Sequence, residues 1–179
     1  NIQLYIIPIL NPDGAQSWTR VNANNVDLNR DAVNLSQPES RLLRDIIDNF
    51  QPDYCFNLHG QRTIYGSLDG TSPIQMSFLS PAGDQERSVN EVRLKSMNVI
   101  NRIYSQLKND VTGSIGRYGD AFNINCIGDY LASRNIPTVL FEAGHAGNDY
   151  SRDEVTDLTT TSLKVAINTL NEDMSYNSK

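Results

Sequence analysis

At 179 residues, 39% hydrophobic and 20% charged, the chain has the size and composition of one soluble folded domain, and disorder and collagen are excluded. A formal charge of −6 leaves no surplus of Lys and Arg to hold a phosphate backbone, and an acidic membrane surface would repel it. Neither nucleic acid nor membrane is an expected partner. Two cysteines, Cys55 and Cys126, lack CxxC spacing and read as buried thiols. No apolar run approaches the ~20 residues of a transmembrane helix, and residues 1–10 carry no basic leader, which leaves the compartment open.

The first apolar run, Leu4–Ile9, reads as a buried strand. A chain that opens inside a sheet without an initiator Met is expected to continue an upstream segment. Asn11-Pro12-Asp13-Gly14 is a strong turn signal. Ser36 and Glu39 form a capping box, and Leu42, Leu43, Ile46 and Ile47 then make one apolar helix face ending near Phe50, before Pro52. Tyr54–Leu58 is a second strand and Met76–Leu79 a shorter one. A helix is predicted from about Glu86 to Leu107, with Val92, Val99, Ile100, Ile103 and Leu107 on a stripe of 3.6-residue period. Thr138–Phe141 is the most apolar strand. A last helix is predicted from Ser151, boxed with Glu154 and carrying Val155, Leu158, Leu163, Ile167 and Leu170. Strands alternating with such helices predict an α/β fold, with a mixed, mostly parallel sheet covered by helices on both faces. No repeat or linker divides the chain, so residues 1–179 are expected to be a single, N-terminally incomplete domain.

In open α/β sheets the ligand site lies beyond the carboxyl ends of the strands. Past Leu4–Ile9 come Arg20 and Val26-Asp27-Leu28-Asn29-Arg30. The two arginines are either solvated surface charges or forked donors for a carboxylate. His59-Gly60 follows Tyr54–Leu58. A lone His is more often structural than a ligand, and zinc needs three or four donors in a chain with only two histidines. Glu142, at the end of the most apolar strand, suits a general base raised by desolvation; a helix cap or a buried ion pair are its other readings. Glu142 and His145 form ExxH, but Gly144 and Gly147 interrupt it, which favours His145 as a supporting or loop residue. Cys55 and Cys126 have no nucleophile motif around them.

In this order the residues resemble the zinc carboxypeptidases of the carboxypeptidase A type. Asn11-Pro12-Asp13-Gly14, Arg20-Val21-Asn22-Ala23-Asn24 and Val26-Asp27-Leu28-Asn29-Arg30 resemble the family's substrate-binding stretch. Phe56-Asn57-Leu58-His59-Gly60 resembles the strand with the last zinc-ligating His, and Leu140-Phe141-Glu142-Ala143-Gly144 the strand with the catalytic Glu. The resemblance runs from Ile2 to about Asp149. It implies a zinc metallocarboxypeptidase that cleaves the C-terminal peptide bond with a zinc-activated water, His59 being one ligand of a single zinc ion. Glu142 would be the general base, Arg20 would stabilise the oxyanion, and Asn29, Arg30 and Tyr118 would bind the substrate.

Three departures accompany it. The family's upstream HxxE pair occurs nowhere in the chain, so most zinc ligands are expected outside it. Asn29-Arg30-Asp31-Ala32 stands where the family reads Asn-Arg-Asn-Phe, and Asn25 where it reads Gly. Tyr118 and Tyr130 bracket the position of the family's mobile-loop Tyr. Two alternatives stay open: a metal-depleted domain that binds carboxylates or peptides, and a zinc-dependent deacylase of N-acyl amino acids. The expected partner is a peptide or acyl amino acid with a free C-terminal carboxylate. The specificity pocket is expected near Ile127-Gly128-Asp129, and Gln61–Ser80 reads either as a rim over the site or as a plain surface loop. A truncated sheet would also offer an edge for a second copy to cover.

Overall fold

The most apolar strand, Thr138–Ala143 (β4), is buried on both sides and organises the rest. The computed structural model describes residues 2–61 and 63–177, with side chains to residue 172. β4 lies between β1 (Cys55–Gly60) and β2 (Ile74–Leu79), and β3 (Ser114–Arg117) flanks β2 on the other side. β1 and β4 run parallel, as do β2 and β3, whereas β2 and β4 are antiparallel. The sheet is therefore mixed and mostly parallel, the α/β class expected from the alternation of elements. The parallel β2–β3 pair is joined by a helical crossover, α3 (Glu91–Leu107), as parallel pairing requires.

Residues of β4 alternate between two faces. Val139 and Phe141 point to one, where Phe141 meets Phe56 and Phe78 edge-on at 5.5 Å each. On that face Val99, Ile103 and Leu107 of α3 and Val155, Leu158 and Ala166 of α5 (Asp153–Asn177) complete the core. On the opposite face α4 (Ile127–Ser133) packs on β4, and a side chain at Gly128 would fall 2.9 Å from the Pro81 ring. That close approach explains a glycine inside a helix.

Several expectations are corrected. Leu4–Ile9 is not a strand: residues 2–11 have no regular structure, and Ile6 is 71% exposed. Its apolar residues favour a strand, but a strand needs a hydrogen-bonded neighbour, and none of the described residues supplies one. The Tyr5 ring instead leans on Phe50, 5.6 Å away. Asn11–Gly14 is more than a turn. Asn11 caps a short helix, α1 (Pro12–Ser17), by accepting from the Gly14 N–H at 2.9 Å. Both expected capping boxes fail beside a carboxylate, which binds the serine in one case and replaces it as the cap in the other. Ser36 Oγ donates to Asp31 at 2.8 Å, and α2 (Pro38–Phe50) starts after Gln37 without a side-chain cap. Asp149, not Ser151, receives the N–H groups of Asp153 and Glu154, at 3.1 and 3.0 Å. The helix predicted from Glu86 begins at Glu91, capped by Asn90. β3 and α4 were not anticipated; both are short, and β3 contains a glycine that weakens its pattern.

Candidate active site

Strand register brings the two best sequence candidates together. His59 on β1 is paired with Glu142 on β4, and Glu142 is paired on its other side with Ser77 of β2. Directly paired residues share a face, so His59, Glu142 and Ser77 form a row across the carboxyl end of the parallel pair, opposite the aromatic core. The period of two continues along β1. Asn57 Nδ2, His59 Nε2 and the Oε1 of Gln61, just past the strand, are buried with no hydrogen-bond partner among the described residues. Gln61 and Ser77 were missed by the sequence reading. The alternation 57–59–61 was a signal for Gln61; Ser77 becomes visible only through pairing.

Charge at the row follows from burial. Glu142 is 7% exposed, and desolvation pushes its carboxyl above the usual range, with Arg20 pulling partly against it. His59 is shifted down, chiefly by burial and next by the positive charge of Arg20, with Asp27 opposing and Arg30 adding to the shift. A neutral imidazole with a free lone pair is the form that binds a metal.

Arg20 and Arg30 are both felt at His59 and at Tyr118, which places the loop after α1 beside the row. Arg20 Nε donates to Asp27 at 2.7 Å, and this leaves its terminal nitrogens without a bond among the described residues. Asp27 also accepts from the Asn29 N–H at 3.0 Å, so one carboxylate shapes the turn at Leu28–Arg30 and orients Arg20. Arg30 Nη1 donates to its neighbour's carbonyl at 2.7 Å and to Cys126 Sγ at 3.0 Å. Asn29 Oδ1 accepts from the Ile127 N–H at 3.0 Å and so ties the loop to the start of α4. Asn25 sits at φ 58°, a conformation that Asn tolerates well, in keeping with its place where the resembled family has Gly.

The structure separates the two tyrosines. Tyr118 is half-exposed at the end of β3 and senses Glu142; burial, then Glu142 and Tyr65, hold its hydroxyl protonated to higher pH. Tyr130 is clamped elsewhere, with the Arg44 guanidinium 4.2 Å above its ring and Arg134 donating to its hydroxyl at 2.9 Å. His145 lies beyond the strand, its Nδ1 3.5 Å from Arg152, and its Nε2 is also buried without a partner among the described residues. Cys55 is pushed up to about 11 by burial, which leaves an unreactive thiol. Asp129 accepts from the Asn123 N–H at 2.9 Å, and burial raises its carboxyl.

The donor set can be tested against zinc. His59 fits one ligand position: a half-buried, neutral imidazole with a buried, unused Nε2 beside a carboxylate. No group of three or more His, Cys, Asp or Glu among the described residues could hold a metal ion, so the described residues offer His59 as a ligand but no closed site.

No protein-family model matches the chain. A curated relative, carboxypeptidase SOL1 of Arabidopsis thaliana, is 40% identical over 96 residues, which cover 48% of this chain and 20% of that protein. A solved structure described as a carboxypeptidase A from Shewanella denitrificans OS-217 superposes with a TM-score of 0.64 at 18% identity, over 91% of this chain and 44% of that one. The murein-tripeptide amidase MpaA from Escherichia coli O157 gives a TM-score of 0.46 at 17% identity, over 88% of this chain and 64% of that one. The chain thus spans about a fifth of the curated relative's length and under half of the Shewanella structure. The sequence likeness is thus to a carboxypeptidase over about half of this chain, and the fold is the one seen in the Shewanella structure.

Proposed function

We propose that this chain supplies the general base, the oxyanion donor and the substrate-carboxylate clamp of a zinc metallocarboxypeptidase that removes C-terminal residues from peptides. The observation that carries this reading is the His59–Glu142 pair, side by side on adjacent parallel strands, with the charge of Arg20 felt at Glu142. His59 Nε2 would hold one zinc ion, its remaining ligands lying outside the described residues; bound zinc would polarise the scissile carbonyl and acidify water. Glu142, made more basic by desolvation, takes a proton from water and passes it to the leaving amine. Arg20, oriented by Asp27, presents its terminal N–H groups to the developing oxyanion. Arg30 and Asn29 grip the terminal carboxylate, which makes the reaction exopeptidic, and Tyr118 closes over the substrate.

The test is Glu142→Gln in the zinc-loaded protein, assayed on blocked dipeptides. A general base contributes ~100- to 10,000-fold, so kcat should fall at least ~100-fold while KM stays within about threefold. An unchanged kcat would sink the assignment. A second reading, a carboxylate-binding domain without metal, is favoured by the lack of a three-donor group among the described residues. It predicts tight binding of peptides with free C-termini and no turnover at any zinc concentration. Hydrolysis of N-acyl amino acids in preference to peptides would identify the deacylase instead.

A further inference from the structure

Gln61, Ser77 and Glu142 are three polar side chains, each more than nine-tenths buried, at one end of the sheet. Ser77 is directly paired with Glu142 and shares its face, yet the two make no hydrogen bond. The Ser77 oxygen instead accepts from Gln61 Nε2 at 2.8 Å. To make that bond, Gln61 must cross β4 from the β1 side to β2, one step beyond Glu142, while its own N–H continues the ladder to Ala143 O at 2.9 Å. The crossing passes over Gly144. A side-chain carbon there would lie 2.8 Å from Gln61 Oε1 and 2.1 Å from the Ile74 carbonyl, so only glycine leaves the path open.

We infer that Gln61 is a positioning residue that engages Ser77 and fences the open side of Glu142, keeping its carboxylate turned away from β2 and toward the His59 and Arg20 side. The reasoning is one of competition. A buried hydroxyl opposite a buried carboxylate is a ready hydrogen-bond donor, and a charge-assisted bond is about twice as strong as a neutral one. Left without its glutamine, Ser77 would turn to Glu142, draw the carboxylate toward β2 and occupy a lone pair needed for the water proton. Gln61 prevents this by holding the Ser77 oxygen on its own Nε2, so that the hydroxyl cannot swing to the carboxylate, and by filling the space next to it. The inference rests on the reading of Glu142 as the base, and it names a residue that acts through Glu142 and not on substrate.

The experiment is the Glu142 side-chain rotamer, read by NMR on this chain with 13C-labelled Glu, in wild type, Gln61→Met and Gln61→Met/Ser77→Ala. Met keeps the length and volume of Gln but cannot donate. Wild type should show one rotamer, on the His59 side. Gln61→Met should shift the population toward Ser77, and removal of the hydroxyl in the double variant should restore it. An unchanged rotamer in Gln61→Met overturns the inference, as does an equal shift in both variants, which would reduce Gln61 to a filler. If Gln61→Met does not fold, Gln61→Asn, too short to cross β4, replaces it under the same criteria. In the zinc-loaded protein the same variant should lose roughly tenfold to a hundredfold in kcat with KM near normal, as small misplacements of a catalytic group do. Should Glu142→Gln leave turnover intact while the rotamer shifts as expected, the base reading fails and the positioning result stands. A full loss in Glu142→Gln without a rotamer shift has the opposite meaning.

Discussion

Asp31 stands where the resembled family reads Asn, and Asp31→Asn, which installs that residue, should nonetheless destabilise this chain. Asp31 is 2% exposed and accepts three hydrogen bonds: from the Ser36 N–H at 3.0 Å, the Ser36 hydroxyl at 2.8 Å and the Gln37 N–H at 3.0 Å. One oxygen takes both Ser36 bonds and the other takes Gln37. An Asn can keep its oxygen on Ser36, but its amide nitrogen then faces the Gln37 N–H, donor against donor. The loss of one bond to a charged acceptor, with a buried N–H left unpaired, costs about 2–3 kcal/mol, or roughly 4–12 °C in Tm for a chain of this size. Burial raises the Asp31 carboxyl, but the hydrogen bonds outweigh it and hold it below the ordinary value of 3.8. A lowered carboxyl stabilises the fold above the unfolded-state value and loses that effect as pH falls through the folded-state value. The gap between wild type and variant, measured by urea unfolding, should therefore be full at pH 7 and should narrow below about pH 3.8. A loss under ~0.5 kcal/mol at pH 7, the range of an ordinary surface change, would refute the hydrogen-bond argument.

Arg30→Ala should raise KM for peptides with a free C-terminus by about tenfold to a hundredfold and leave binding of amidated peptides unchanged, a comparison that calorimetry makes directly. Ile6→Lys, at a 71% exposed position, should alter stability by less than ~0.5 kcal/mol, whereas Phe141→Ala in the core should cost about 3–5 kcal/mol. A large effect of Ile6→Lys in denaturant unfolding would restore the buried-strand reading. Cys55, pushed up to about 11, should react with a thiol reagent at pH 8 only in step with unfolding, and trapping should become rapid in urea.

The legible part of the fold was carried by burial. Thr138–Phe141 and Met76–Leu79 are apolar because both of their faces are covered, and such runs announce themselves as central strands. Leu4–Ile9 is equally apolar and was misread, because apolarity records a preference for a sheet and not the presence of a neighbour to pair with. The capping boxes misled in the same way. Ser36 and Ser151 have the right spacing, but Asp31, whose position depends on the path of the chain, draws off the Ser36 hydroxyl, and Asp149 takes the helix N–H groups in place of Ser151. Tyr118 could be separated from Tyr130 only when Arg44 and Arg134 were found packed on Tyr130.

The candidate site divides similarly. His59, Glu142, Arg20, Asn29 and Arg30 were readable as candidates because chemistry at strand ends and in polar loops needs distinctive residue types, and their order along the chain carries the resemblance. That much the sequence determined alone, together with the alternation of strands and helices that makes the fold α/β. Tertiary structure decided the rest: that His59 and Glu142 are in register, that Ser77 sits opposite Glu142, and that Gln61 reaches across Gly144 to hold it. The physical reason is range. Propensity and periodicity act over a few residues, whereas register and hydrogen-bond competition join groups far apart in sequence and exist only once the strands have paired.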